Sequence, residues 1–164
     1  MNRDQVVSRV VSYLEEGNAH ASLHEATAEL PPEHRCTVPD PLPYSIWDLL
    51  EHIRIAQRDI VGFCANPDHA SPEFPGGYWP ETVESVPDED WFRSIEAIDR
   101  DTDRMVDLLR DPDRDPTESF PWGDGQSLLQ EAQVLIDHRS YHTGQIIVIR
   151  RMLGIWHRDS AFSV

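Results

Sequence analysis

Residues 137–145 read Asp-His-Arg-Ser-Tyr-His-Thr-Gly-Gln, inside a segment that is otherwise strongly apolar from Leu128 to Met152. The pattern predicts a helix from about Ser127 to Leu153, closed by Gly154 as a C-cap. On that helix His138 and His142 lie on one face about a turn apart, so both imidazoles can reach one point. The same face runs through Leu135, Gln145, Ile149 and Met152 at the three-and-four spacing of a buried seam. His138, His142 and Gln145 are thus consecutive polar positions on a face expected to be apolar. Burying them without partners is costly, and a shared metal ion would satisfy them.

Three further segments carry helical patterns. The first runs from about Arg3 to Leu30, with Val6, Val10, Leu14, Leu23, Ala26 and Leu30 on its apolar side and Gly17 as an irregularity. Pro31-Pro32 stops it, since proline cannot donate to a continuing helix. The second begins near Ser45, where Ser45 and Asp48 resemble a capping box, and carries the stripe Ile46, Leu49, Leu50, Ile53, Ala56, Ile60 and Phe63. The third spans about Asp88 to Arg110. Its acidic first turn, Asp88-Glu89-Asp90, suits the helix dipole, and Trp91, Ile95, Ile98, Met105, Leu108 and Leu109 face inward. Nothing strand-like competes with these four. Residues 66–87 form a long Pro/Gly/aromatic connection, long enough to cross a bundle, so the second and third helices need not be antiparallel neighbours. The expected architecture is all-α, a four-helix bundle with a long crossover between helices two and three, occupying residues 1–164 as one domain.

Fourteen basic residues against thirty acidic ones give a net charge of −16, which repels phosphate backbones and argues against a nucleic-acid partner. The longest uninterrupted aliphatic run, Ile146 to Ile149, is far too short for a membrane span, and the start lacks a signal-peptide pattern. Cys36 and Cys64 have no metal or redox spacing and read as ordinary thiols. A cytoplasmic protein acting on a small molecule is the expectation. The fourth helix is apolar nearly all round, which fits deep burial or the contact of a homodimer.

A third metal ligand should come from a facing helix. His52 follows Leu49 by three residues and precedes Ala56 by four, so it shares the core-facing stripe of the second helix. His52, His138 and His142 together would leave a coordination position open, as catalytic sites do. All-nitrogen ligation suits zinc, nickel, cobalt or iron(II). Paired Glu-x-x-His motifs of a carboxylate-rich di-iron bundle are absent from the sequence.

Residues 45–52, Ser-Ile-Trp-Asp-Leu-Leu-Glu-His, and residues 138–145, His-Arg-Ser-Tyr-His-Thr-Gly-Gln, resemble the two signatures of the DinB-like (YfiT-like) superfamily. The likeness extends from the first helix to Gly154. It implies a four-helix bundle with the same crossover, and a divalent metal, commonly nickel or zinc, on His52, His138 and His142. It also implies metal-dependent enzymes, among them transferases and isomerases that use the low-molecular-weight thiols bacillithiol or mycothiol. The 164 residues are expected to form the bundle alone, without the additional C-terminal domain of the mycothiol-dependent isomerases, which counts against their specific reaction. Metal-dependent hydrolysis is the alternative reading, and a non-catalytic metal-binding or stress-related bundle a third.

Gln145, a turn beyond His142, is a candidate to hold a metal-bound water or orient a ligand histidine, or else is a buried amide bonded to the backbone of a neighbouring helix. Similar sequences often carry an Ala-His pair near Ala19-His20, which makes His20 a candidate pocket residue; otherwise it sits on a half-buried face of the first helix. His24 is expected at the surface, while His34, His69 and His157 fall in loops or the tail and receive no role. Asp48 is assigned to capping, and Glu51 and Asp137 to solvent or ion pairs. Tyr78, Trp79 and Trp122, in the two long loops, are expected to pack over the bundle ends or, as the alternative, to wall a pocket. Arg54, Arg58, Arg139 and Arg150 lie near the ligand helices as the available cations.

Overall fold

The computed structural model describes residues 2–156; His157 lies outside the described residues. Five helices make up the described chain: α1 (Arg3–Glu15), the short α2 (Leu23–Thr27), α3 (Ile46–Ala65), α4 (Asp88–Arg110) and α5 (Leu128–Met152). The four long helices form the expected all-α bundle, and among the described residues there is no strand beyond one isolated bridge, Ser119 to Ser127. No described helix is long and apolar enough to cross a membrane.

The helix starts follow from local chemistry. Full capping boxes open α1 (Asn2 with Gln5), α2 (Ser22 with Glu25) and α3 (Ser45 with Asp48), satisfying backbone N–H groups that have no partner within the helix. Ser127 accepts from the Gln130 amide at the start of α5. At its far end Gly154 takes φ +72°, the left-handed turn that a C-terminal glycine supplies without steric cost.

The first expected helix is two helices. Gly17 adopts φ +68° just past the end of α1, and the Ser22–Glu25 capping box restarts the helix. A left-handed residue cannot sit inside a helix, so Gly17 terminates where the sequence suggested only an irregularity. His20 consequently lies in the linker, and His24 alone of the pair is helical. The seam of the last helix also differs at one position. Met152 is exposed, as are Val134, Tyr141 and Val148, so the apolar character of α5 is not all spent in the interior.

Two apolar clusters set the helix directions. One joins Val7, Val10, Val11 and Leu14 of α1 to Val61 and Cys64 of α3, Met105, Val106 and Leu109 of α4, and Leu128, Ala132 and Leu135 of α5. The other joins Ala26 and Leu30 to Ile46, Leu49, Leu50 and Ile53 of α3, Trp91 and Ile98 of α4, and Ile146 and Ile149 of α5. The start of α3 therefore meets the end of α5, and these two run antiparallel. The contact between α3 and α4 goes the other way. Ser94 bonds Glu51 and Thr102 bonds Gln57, so the two helices run side by side in the same direction. Parallel neighbours need a connection that returns the length of the bundle, and residues 66–87 provide it.

Ser45 closes the N-terminus of α3 by accepting from the Asp48 amide at 3.2 Å, while Asp48 accepts from the Ser45 amide at 2.8 Å. Ser45→Ala is expected to cost about 1 kcal/mol and to lower Tm by roughly 2–4 °C, with helical circular dichroism retained.

Candidate metal centre

His52, near the middle of α3, and His138 and His142, a turn apart on α5, meet between the antiparallel pair. One ligand atom from each lies within 4.8 Å of the others, a group that could hold a metal ion. Among the described residues no Asp, Glu or Cys joins this group.

The tautomers of two of the three rings follow from their partners. Nδ1 of His52 is 2.7 Å from the carbonyl oxygen of Tyr78. A carbonyl only accepts, so Nδ1 carries the proton and Nε2 presents its lone pair to the other two histidines. Nδ1 of His142 lies 2.6 Å from Oε1 of Gln145, whose amide Nε2 donates to the Tyr44 hydroxyl at 2.8 Å. As the amide lies, its oxygen faces His142, so His142 also holds its proton on Nδ1. Hydrogen bonds of this kind orient ligand histidines and raise their basicity toward a metal. Gln145 is thus set to orient a ring, through a bond the sequence offered as one of three roles.

Nε2 of His138 lies 3.0 Å from Nε2 of His52. With His52 Nε2 unprotonated, His138 donates there in the metal-free protein. Two nitrogens that share an ion at about 2.0–2.1 Å each stand roughly 2.8–3.4 Å apart in octahedral or tetrahedral geometry. The His52–His138 pair already has that spacing, and the His142 ligand atom lies within 4.8 Å of both. The residues present therefore fit a divalent ion.

Burial, then the neighbouring His142 and His52, pushes the His138 imidazole down to about 4. Burial also lowers His142, opposed by its bond to Gln145 and assisted by His52. Both rings are neutral near pH 7, the form that ligates.

The crossover walls the site, so Tyr78 and Trp79 take the alternative of their two expected roles. The Trp79 ring stacks on His52 with centroids 4.1 Å apart and planes 6° from parallel, and Tyr44 stacks beyond it at 6.4 Å. The loop is tied down by Asp59, two turns after His52 on α3. Its carboxylate accepts from the Tyr78 hydroxyl at 2.6 Å and from Nε2–H of His69 at 2.7 Å. Burial first and the Asp59 bond second push the Tyr78 phenol up to about 12, so it stays a donor. Gly62 leaves room for the His69 ring, which a Cβ there would meet at 2.5 Å. Tyr44, Asp59 and His69 were not singled out from sequence for this role. Asp59 could have been, because it repeats the face of His52 after seven residues. Trp122 does pack at a bundle end, stacking on Phe120 and donating to the Phe63 carbonyl.

The other named residues are accounted for. Glu51 is ion-paired as expected, but buried: Arg54 grips both its oxygens at 2.7 Å and Ser94 donates at 2.6 Å. Arg150 donates to the carbonyls of Ala26 and Ala28, and Arg58 is exposed. Asp137 is exposed beside an open groove that it lines with Gln133, Val134, His138 and Tyr141, so solvent reaches the triad from the His138 side. His20 lies elsewhere. Its Nδ1–H donates to the Ala21 carbonyl at 2.9 Å and its Nε2 accepts from the Ser140 hydroxyl at 3.1 Å. It borders a different cavity, to which none of the three histidines contributes.

Gln145→Leu removes the acceptor for His142 Nδ1–H and is expected to weaken metal binding by about 10–100-fold in a chelator competition. The depressed His138 value also sets a pH dependence. Above its unfolded value of 6.5 the ring is neutral in both states; as pH falls toward about 4 the unfolded chain takes up a proton that the folded chain refuses. Stability is therefore lost on acidification through this window. Metal-free protein should lose more Tm between about pH 7 and about pH 5 than a metal-free His138→Gln variant.

The family model described as "DinB superfamily" matches residues 17–146, a span that contains all three histidines and Gln145. The chain belongs to the DinB superfamily. No curated protein and no solved structure matches it significantly.

Proposed function

We propose that this member of the DinB superfamily binds one divalent ion, nickel or zinc foremost, through His52, His138 and His142. We further propose that it is a metal-dependent transferase that uses a low-molecular-weight thiol. The observation that carries the reading is the pair of anchored Nδ1 protons, on Tyr78 O for His52 and on Gln145 Oε1 for His142, which turns both Nε2 atoms toward His138. An ion held there with an unfilled position would lower the pKa of a thiol or water placed in it. The groove at His138 supplies an approach. Trp79 covers one face of His52 and keeps water from that side.

The preference for a thiol comes from the missing carboxylate. A water nucleophile is helped by a general base within hydrogen-bond reach, and among the described residues no Asp or Glu joins the histidine group. A thiol ionised on binding needs none. Metal-dependent hydrolysis remains the second reading because of one feature: Arg54 is spent on Glu51 and Arg150 on backbone carbonyls, so neither is free to take the carboxylates of a thiol cofactor.

Elemental mass spectrometry on untagged protein is expected to find close to one nickel or zinc ion per chain. A His138→Ala/His142→Ala variant should lose that ion while keeping its helical circular dichroism. The loaded protein should then transfer a bacillithiol-type thiol to an electrophile, and the variant should not. A protein that takes up no divalent ion even when supplied with one would end the metalloenzyme reading. A metal-loaded protein that hydrolyses esters or amides and ignores thiols would replace transfer by hydrolysis.

A further inference from the structure

On the flank of α5 away from the triad, more than 100° round the helix, lies a cavity of about 460 Å³. It is bounded by the end of α1, the 16–22 linker, the start of α2, the middle of α4 and residues Ile136, Arg139, Ser140 and Thr143 of α5. Its size falls in the range of small-molecule sites. The apolar part of its wall comes from Leu14, Leu23, Ile98 and Ile136, of which Leu14 and Ile98 are fully buried core residues.

Arg139 sits at its inner side. The guanidinium donates to the Thr102 hydroxyl at 3.1 Å and to the Leu14 carbonyl at 2.8 Å, two bonds from a group with five N–H donors. Both partners are neutral. Among the described residues no carboxylate lies within ion-pair distance of Arg139; Asp99 on the cavity wall acts on it only from beyond that distance, and its carboxylate is bonded to His24 at 2.9 Å. A half-buried cation with no directly bonded carboxylate, bordering a cavity, has donors left for an anion that enters it, in charge-assisted hydrogen bonds. The mouth has the opposite sign. Glu15, Glu16 and Asp103 line it and are exposed.

We propose that this cavity is a second ligand site, separate from the histidine triad, for a small aliphatic carboxylate whose far end carries a positive charge. The carboxylate pairs with Arg139, the methylene body lies on Leu14, Leu23, Ile98 and Ile136, and the cationic end meets the acidic mouth. Glu15 is paired with Arg110 at 3.2 Å, but Glu16 and Asp103 keep the mouth acidic, so it admits such a zwitterion and disfavours polyanions.

The test is isothermal titration calorimetry with 6-aminohexanoate, hexanoate and hexylamine, on metal-loaded and on metal-stripped protein. Binding of one 6-aminohexanoate per chain is expected, tighter than hexanoate, with hexylamine weakest, and the same order after metal removal. Arg139→Gln should weaken the two carboxylates at least tenfold, roughly the worth of a charge-assisted bond. Because Arg139 also holds Leu14 and Thr102, a second variant guards against misfolding. Ala19→Trp fills the mouth from the exposed linker, leaves the Arg139 bonds intact, and should abolish binding with Tm unchanged. Hexylamine binding as tightly as hexanoate, no heat from any of the three at high millimolar concentration, or undiminished binding in Ala19→Trp would overturn the proposal. None of these outcomes bears on metal content, so this site and the triad stand or fall separately.

Discussion

A layer of polar side chains is held between two apolar clusters, and the chemistry of the molecule depends on that sandwich. Along α4 the clusters end at Ile98 and resume at Met105, and Thr102 lies between; along α5 they end at Leu135 and resume at Ile146, and the span between carries His138, Arg139, His142 and Thr143. On α3 Gln57 occupies the gap, its amide donating to the Ile98 carbonyl and to Thr102. Polar groups in such a layer must find partners or cost about 1–3 kcal/mol each. Most find them in one another and in backbone carbonyls, Gln57 Oε1 being an exception, and the bonds fix rotamers that a purely apolar core would leave to packing alone.

The interrupted stripes on α3 and α5 made the three histidines legible in the sequence, because a polar residue on an otherwise apolar helical face demands an explanation. Residue identity at short range also reveals the helix starts, since Ser45–Asp48 is a local device. The end of the first helix was less legible. Whether Gly17 bends a helix or ends it depends on φ, and glycine permits both signs. That single ambiguity put His20 on a helix with His24, whereas the chain places it in a linker beside Ser140. The roles of Tyr44, Tyr78 and Trp79 were illegible for a different reason. Loop residues carry no periodicity, and a backbone carbonyl such as that of Tyr78 has no signature in the sequence.

The crossover does two things with one length of chain. It lets α3 and α4 run parallel, which brings Glu51 to Ser94 and Gln57 to Thr102 in register. It also returns along α3, where Asp59 catches it twice, through His69 and through Tyr78. Those bonds sit two turns from His52, so the segment between, Tyr78 and Trp79, is delivered onto the imidazole. Shortening the loop would sacrifice the helix direction and the ring's orientation together. That coupling gives the longest connection of the described bundle, residues 66–87, a role in both the helix order and the site.

The donor set also constrains what the site would favour. Three neutral imidazoles leave the full double charge of a divalent ion uncompensated, unlike a set that includes carboxylates. Burial enforces that neutrality, since protonating His138 is resisted down to about pH 4. An ion in this setting would draw an anion into its remaining position more strongly than in a carboxylate-rich site, because no protein charge competes for it. The protein's net charge of −16 does not undo this, as exposed carboxylates are screened within about 8–10 Å at physiological salt. A thiol or a water that ionises on binding meets the demand; a neutral ligand does not. The electrostatics of the triad thus argue for nucleophile activation over a purely structural ion, and they do so from ring nitrogens and burial alone.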